Sequence, residues 1–132
     1  MKILLMFLLF FTSVLYSKTM ILEISYTGNK FKIINQRVID KDYPSSKASF
    51  KRKDNFYINI KNNKNEMLES IIINNPKILT IPLPKNKNNS KYVKDIIKEN
   101  GSFLLRFKYR EDIRKIEIIF NKFSQILYLK EK

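Results

Sequence analysis

Hydrophobic and polar residues alternate along most of the chain after residue 20. The stretch MILEISYT places Leu22, Ile24 and Tyr26 on one side and polar residues on the other. FYINIK, SFLLRFKY, KIEIIF and QILYL repeat this spacing farther along the chain. A period of two is typical of a β-strand with one buried face, so the pattern predicts an all-β protein.

Interruptions of this period predict how the strands are joined. TGN at residues 27–29 and NNKN at residues 62–65 are polar turn signals between apolar runs, and they predict hairpins. Val38 follows Ile33 by five positions, which is out of phase and predicts a bulge in the second strand. Residues 40–54 are polar and form a predicted loop, and the prolines at 76–84 predict an edge strand or an extended segment.

One segment breaks the alternation. In KNKNNSKYVKDIIKENG, the residues Tyr92, Val93, Ile96 and Ile97 recur at helical spacing, and Gly101 follows where a helix can end. These features predict a short crossover helix of two to three turns. Downstream, the apolar positions of 103–109 and 116–120 read as two core-facing strands, and we expect them to form a hairpin.

The predicted fold is one antiparallel β-sandwich of six to seven strands with this helix, over residues 18–132. FYINIKNNKNEML and FLLRFKYREDIRKIEIIFNKFSQILYL resemble small bacterial exported immunoglobulin-like domains. The resemblance implies an immunoglobulin-like sandwich with a binding or supporting role. The chain has no Trp and no Cys, so it departs from antibody-type domains.

Residues 1–17, MKILLMFLLFFTSVLYS, have the plan of a secretory signal peptide. Lys2 precedes an uncharged apolar stretch that ends at Ser17, a suitable cleavage position. The stretch is shorter than the ~20 residues of a membrane-spanning helix. We therefore expect export to the periplasm or cell surface, with membrane contact only if the segment is not cleaved.

The side-chain inventory argues against catalysis. The chain has no His and no Cys, which removes imidazole and thiolate chemistry. The best carboxylate pairs, Asp40 with Asp42 and Glu111 with Asp112, lie in charged predicted loops. We expect no enzymatic activity, no cofactor and no metal.

The net charge of +14 is the main functional signal. It favours an anionic polymer of the cell envelope or host, or a protein partner, and export makes nucleic acid an unlikely one. Much of the charge also fits the amino-acid bias of an AT-rich genome. The candidate ligand surface comprises a loop cluster and a strand-and-loop cluster: Lys47, Lys51, Arg52 and Lys53, and Arg106, Lys108, Arg110, Arg114 and Lys115.

The sequence thus predicts an exported binding or accessory module that contacts an anionic envelope or host polymer through basic loops. The alternative is a structural subunit or adaptor that binds a protein by pairing an exposed edge strand near residues 76–84.

Overall fold

The computed structural model describes residues 17–49, 52–82 and 93–131, and the fold of these residues is all-β. These residues form nine strands, more than the six to seven predicted: β1 Thr19–Thr27, β2 Lys30–Ile39, β3 Phe56–Asn62, β4 Met67–Ile73, β5 Ile78–Pro82, β6 Val93–Ile97, β7 Asn100–Lys108, β8 Ile113–Phe120 and β9 Phe123–Tyr128. The described residues include no helix that is long and apolar enough to cross a membrane. The predicted signal peptide lies outside them except for Ser17.

The strands form three antiparallel sheets. The first sheet has the order β2-β1-β7 and the second sheet the order β4-β3-β8-β9. Among the described residues, β5 and β6 pair with each other and with no further strand, and they make a two-stranded ribbon inserted in the chain between β4 and β7. The ribbon therefore lies on the connection from an edge of the second sheet to an edge of the first.

The first and second sheets bury their alternate residues in a single core. Nine aliphatic or aromatic side chains with no exposed area come from both sheets: Leu22, Ile24, Phe56, Ile58, Ile60, Leu105, Phe107, Ile116 and Ile118. They occupy every second position of β1, β3, β7 and β8. The prediction of strands with one buried face is confirmed.

The predicted irregularities are also confirmed. Glu23 faces Asn35 while Ile24 faces Ile33, so Ile34 is an extra residue in β2 at the predicted bulge. The bulge restores Val38 to the buried side. Gly28 has a φ of 58° in the turn between β1 and β2, a conformation that glycine adopts without a steric penalty.

The predicted helix is wrong over the residues that can be checked. Val93–Ile97 form β6, which pairs along its length with Ile78–Pro82. A short apolar run is compatible with the spacing of either a helix or a strand, and this run pairs with β5 as a strand. Gly101 does not cap a helix either: it lies within β7, and its lack of a side chain leaves room for the Tyr26 ring. The start of the predicted helix lies outside the described residues.

β7 and β8 do not form the expected hairpin. β7 pairs with β1 in the first sheet, and β8 pairs with β3 and β9 in the second. The two strands still turn their apolar sides toward each other, because they face one core from opposite sheets. The alternation of apolar and polar residues predicts which face of each strand is buried. It does not determine which sheet each strand joins.

Two glutamine side chains link the first sheet to the second where β2 runs beside β9. The Gln125 amide donates to the Phe31 carbonyl at 2.8 Å and accepts from the Phe31 N–H at 3.0 Å. The Gln36 amide makes the same reciprocal pair with the backbone of Lys130, at 3.1 and 2.9 Å. These amides satisfy backbone groups at the edges of both sheets.

Substitutions in β7 distinguish its two faces. We expect Phe107→Ala to lower the free energy of unfolding by about 3–5 kcal/mol, because it leaves a cavity in the shared core. Arg106→Ala removes an exposed side chain and should change the free energy of unfolding by less than about 0.5 kcal/mol. Urea denaturation measures both, and an unfolded Arg106→Ala variant would contradict the assignment of faces.

A second prediction concerns the contact between Gly101 and Tyr26. A Cβ on residue 101 would lie 2.6 Å from the Tyr26 Oη, which donates to the Pro76 carbonyl at 3.1 Å. We expect Gly101→Ala to cost about 1–3 kcal/mol, since the buried ring must move. In a double-mutant cycle by urea denaturation, Tyr26→Phe should relieve part of this cost. Strict additivity would show that the two residues do not interact.

Candidate functional site

The strand-and-loop cluster is divided between different surfaces. Arg106 and Lys108 lie on the outer face of the first sheet, on the strand that pairs with β1. Lys115 lies on the outer face of the second sheet, opposite Lys61 and Tyr128. These residues do not form one surface, because β7 and β8 belong to different sheets.

The other two arginines of that cluster are engaged locally. Arg110 holds Asp112 with two hydrogen bonds, at 3.1 and 3.0 Å, and Arg114 donates to the carbonyls of Glu111 and Ile113. Both arginines line a pocket of about 460 Å³ at one end of the two sheets. Its rim also carries carboxylates, so it offers an anion little net attraction.

The loop cluster begins at Lys47, within the segment of residues 43–49 that is here called the strap, and continues beyond it. The strap crosses from the first sheet to the second: the Ser46 N–H donates to the Arg106 carbonyl at 2.8 Å, and the Ala48 N–H to the Ile72 carbonyl at 2.7 Å. Lys47 is exposed between these two anchors. Arg52 forms an ion pair with Asp54 at 3.2 Å.

Lys53 is exposed in the turn before β3, and Lys51 lies outside the described residues. Among the described residues, Lys53 has no contact that joins it to the basic residues of β7. The loop cluster therefore approaches Arg106 through the strap residue Lys47, which follows Ser46 directly.

The outer face of the first sheet carries a groove of about 840 Å³. Its floor and walls combine apolar and basic side chains: Ile21, Arg37, Ile39, Asp40, Lys41, Tyr43, Ser46, Leu104 and Arg106. Leu104 is 60% exposed and Tyr43 40% exposed, both unusually open for their types. We refer to this site as the groove.

Two arginines flank the middle of the groove floor. Ile21 of β1 faces Arg37 on β2 and Arg106 on β7, so the three side chains form one cross-strand row. Within the described part of the chain, neither guanidinium forms an ion pair or hydrogen bond. Asp40, the carboxylate at the rim, is paired with Lys18 at 3.4 Å. Both arginines are thus available to an external anion.

The strap wall of the groove is fixed at two points. The buried Thr19 hydroxyl donates to the Lys41 carbonyl at 2.6 Å and accepts from the Tyr43 N–H at 2.9 Å. Farther along, the Arg106 N–H donates to the Ser46 Oγ at 2.8 Å. Tyr43 therefore stands beside the floor on an anchored segment.

The carboxylate pairs considered from the sequence are partly engaged in ion pairs. Asp40 and Asp112 each form an ion pair with a basic side chain. No cluster of three or more acidic side chains able to hold a metal ion occurs among residues 17–49, 52–82 and 93–131.

The chain matches no protein-family description, no curated protein and no solved structure.

Of the described residues in the candidate ligand surface, Arg106 alone lines the groove, and Asp40 from the proposed carboxylate pairs lies at its rim. The sequence does not indicate Arg37 as a candidate, because it is an isolated basic residue in NQRVI, far from Arg106 along the chain. The pairing of β1 with both β2 and β7 creates the row. A planar guanidinium beside an apolar floor and an aromatic wall can bind a carboxylate or phosphate bidentately and pack against the apolar part of the same ligand.

Proposed function

We propose that this protein is an exported, non-enzymatic binding or accessory module of the bacterial periplasm or cell surface. It contacts an anionic polymer of the envelope or host, and the groove is its contact site. The observation that carries this proposal is the row of Arg37, Ile21 and Arg106, in which two guanidiniums without a partner among the described residues flank an apolar floor. Long-range attraction from the net charge of +14 adds to this local site.

We also propose that the two main sheets form an immunoglobulin-like sandwich. In support, the order β4-β3-β8-β9 corresponds to the C′-C-F-G sheet of a variable-type domain. The first sheet differs, because its central strand is the first in the chain, whereas the second strand is central in the A-B-E arrangement. The resemblance to an immunoglobulin-like sandwich is therefore supported by the second sheet. The proposal of a binding role depends on the groove and not on the fold.

The test of the groove is retention on an immobilised polyanion. On heparin, the double variant Arg37→Gln/Arg106→Gln should elute at a lower salt concentration than the parent protein, since a fixed pair of charge-assisted contacts is lost. Lys64→Gln/Lys122→Gln is the matched control, because it removes two exposed charges from turns outside the groove. An equal shift for both variants would show that only net charge matters.

Export is tested by cell fractionation and N-terminal sequencing. We expect the protein in the envelope or periplasmic fraction with a mature chain that starts at Lys18, because Ser17 ends the signal-like segment. A cytoplasmic protein that retains Met1 would contradict export and leave the envelope polymer unreachable.

The alternative function is a structural subunit or adaptor that binds a protein through an edge strand. The ribbon supports it: β5 and β6 have no third strand among the described residues, and the side chain of Ile97 is 73% exposed. An isolated two-stranded ribbon is marginal in water, so a partner strand would stabilise it. A cross-linked pull-down that yields one discrete protein, insensitive to salt, favours this alternative.

A further inference from the structure

β7 is an edge strand of the first sheet, and its free side can be identified from the strap. The Arg106 N–H and C=O both bond to Ser46, so they point away from β1. The direction of the backbone N–H and C=O groups repeats every second residue in an antiparallel pair. The N–H and C=O groups of Leu104 and Ser102 therefore also point away from β1. Within the described parts of the chain, no residue forms a hydrogen bond with the outward N–H and C=O groups of Ser102 and Leu104.

This part of the edge lacks the usual protection against strand addition. The run NGSFLL, residues 100–105, has no charged residue and no proline, and both are common on exposed edges. The strap reaches β7 at Arg106 and then leaves for Ile72 on the second sheet. Leu104, beside the uncovered stretch, is 60% exposed.

We propose that the Asn100–Leu104 part of the β7 edge accepts an extended segment of another protein as an added antiparallel or parallel strand. The outward N–H and C=O groups of Ser102 and Leu104 would supply the backbone hydrogen bonds. This site goes beyond the proposed function, since it uses the sheet edge and binds a protein. It also differs from the ribbon edge of the alternative function.

The surrounding side chains indicate the chemistry of that segment. An apolar residue is required to cover Leu104, and an acidic residue suits the end of the segment that approaches Arg106. Glu23 lies opposite Leu104 on β1, one strand farther from the incoming segment, so the nearest charge is that of Arg106. A second copy of this chain is disfavoured as the occupant, because each copy carries a net charge of +14.

Proline substitution tests the edge without disturbing the interior pairing. Ser102→Pro removes an outward N–H that the fold does not use, and edge strands tolerate proline at such positions. Ser102→Ala is the matched control, because it keeps the N–H. The probe is a capped extended peptide, Thr-Val-Thr-Glu-Thr, in large excess, whose valine and glutamate lie two positions apart on one face, as Leu104 and Arg106 do. It is called the valine–glutamate peptide, and a valine–lysine peptide with lysine in place of the glutamate is the comparison.

The measurement is amide hydrogen exchange by NMR. The valine–glutamate peptide should slow exchange of the Ser102 and Leu104 amides by about tenfold or more in the parent protein. In Ser102→Ala the peptide should protect the amides of residues 102 and 104 as strongly as in the parent protein. In Ser102→Pro the Leu104 amide should stay unprotected, and the melting temperature should match that of the parent protein. If Ser102→Pro fails to fold, Leu104→Glu removes the apolar contact and repels the acidic segment, so it should abolish the protection of Ser102.

Several results would overturn the proposal. Protection at other edges only, no protection, or equal protection of Leu104 in Ser102→Pro would exclude the β7 edge. Protection that grows with protein concentration without peptide would identify a second copy as the occupant. Equal protection by the valine–lysine peptide would exclude the acidic preference. Retention of Ser102→Pro on heparin should match the parent, so this test and the test of the groove can fail independently.

Discussion

The structure depends on the burial of one apolar core between two sheets. Every second residue of β1, β3, β7 and β8 contributes to it, and each fully buried aliphatic or aromatic side chain adds about 1.5–3 kcal/mol. The chain has no cysteine, so no disulfide contributes to stability. At the end of the core near the β1–β2 turn, Phe31 contacts Phe56 and Phe120 edge to face, with ring centroids 5.6 and 6.2 Å apart. Since strict alternation assigns one face of each strand to the core, the polar and basic residues of those strands must lie outside. The groove is a consequence of this division.

The edges of the two sheets differ in how they are covered by the rest of the chain. Gln125 and Gln36 join β2 to the region of β9 through reciprocal amide bonds. On the other side, the strap bonds first to β7 and then to β4. The strap has two effects, since its Thr19 and Ser46 anchors also hold Tyr43 at the wall of the groove. It leaves part of β7 uncovered. The same segment therefore builds one candidate site and marks the boundary of the other.

The limits of sequence reasoning here follow from the range of the interactions. Strands, turns and the β2 bulge depend on residues close in sequence, and alternation predicted them. The β6 strand was mistaken for a helix because Val93, Ile96 and Ile97 fit either spacing, and only the pairing with β5 distinguishes the two. The assignment of β7 and β8 to different sheets depends on contacts with β1 and β3, which no local pattern contains. For the same reason the sequence identified Arg106 as a candidate but did not place Arg37 beside the same isoleucine.

The positive charge acquires a more specific meaning once the ion pairs are known. Several basic residues at the surface are paired with acids, since Arg110 holds Asp112 and Arg52 holds Asp54. Such surface pairs contribute about 0–1 kcal/mol and leave little net field around them. Arg37 and Arg106 differ, because their strand register places both against Ile21 without a carboxylate partner among the described residues. Diffuse charge gives attraction that salt screens within about 10 Å at 0.1 M ionic strength, whereas two guanidiniums held on neighbouring strands give geometric selection as well. The arrangement of the unpaired arginines, rather than the total charge, is therefore the part of the electrostatics that can recognise a ligand.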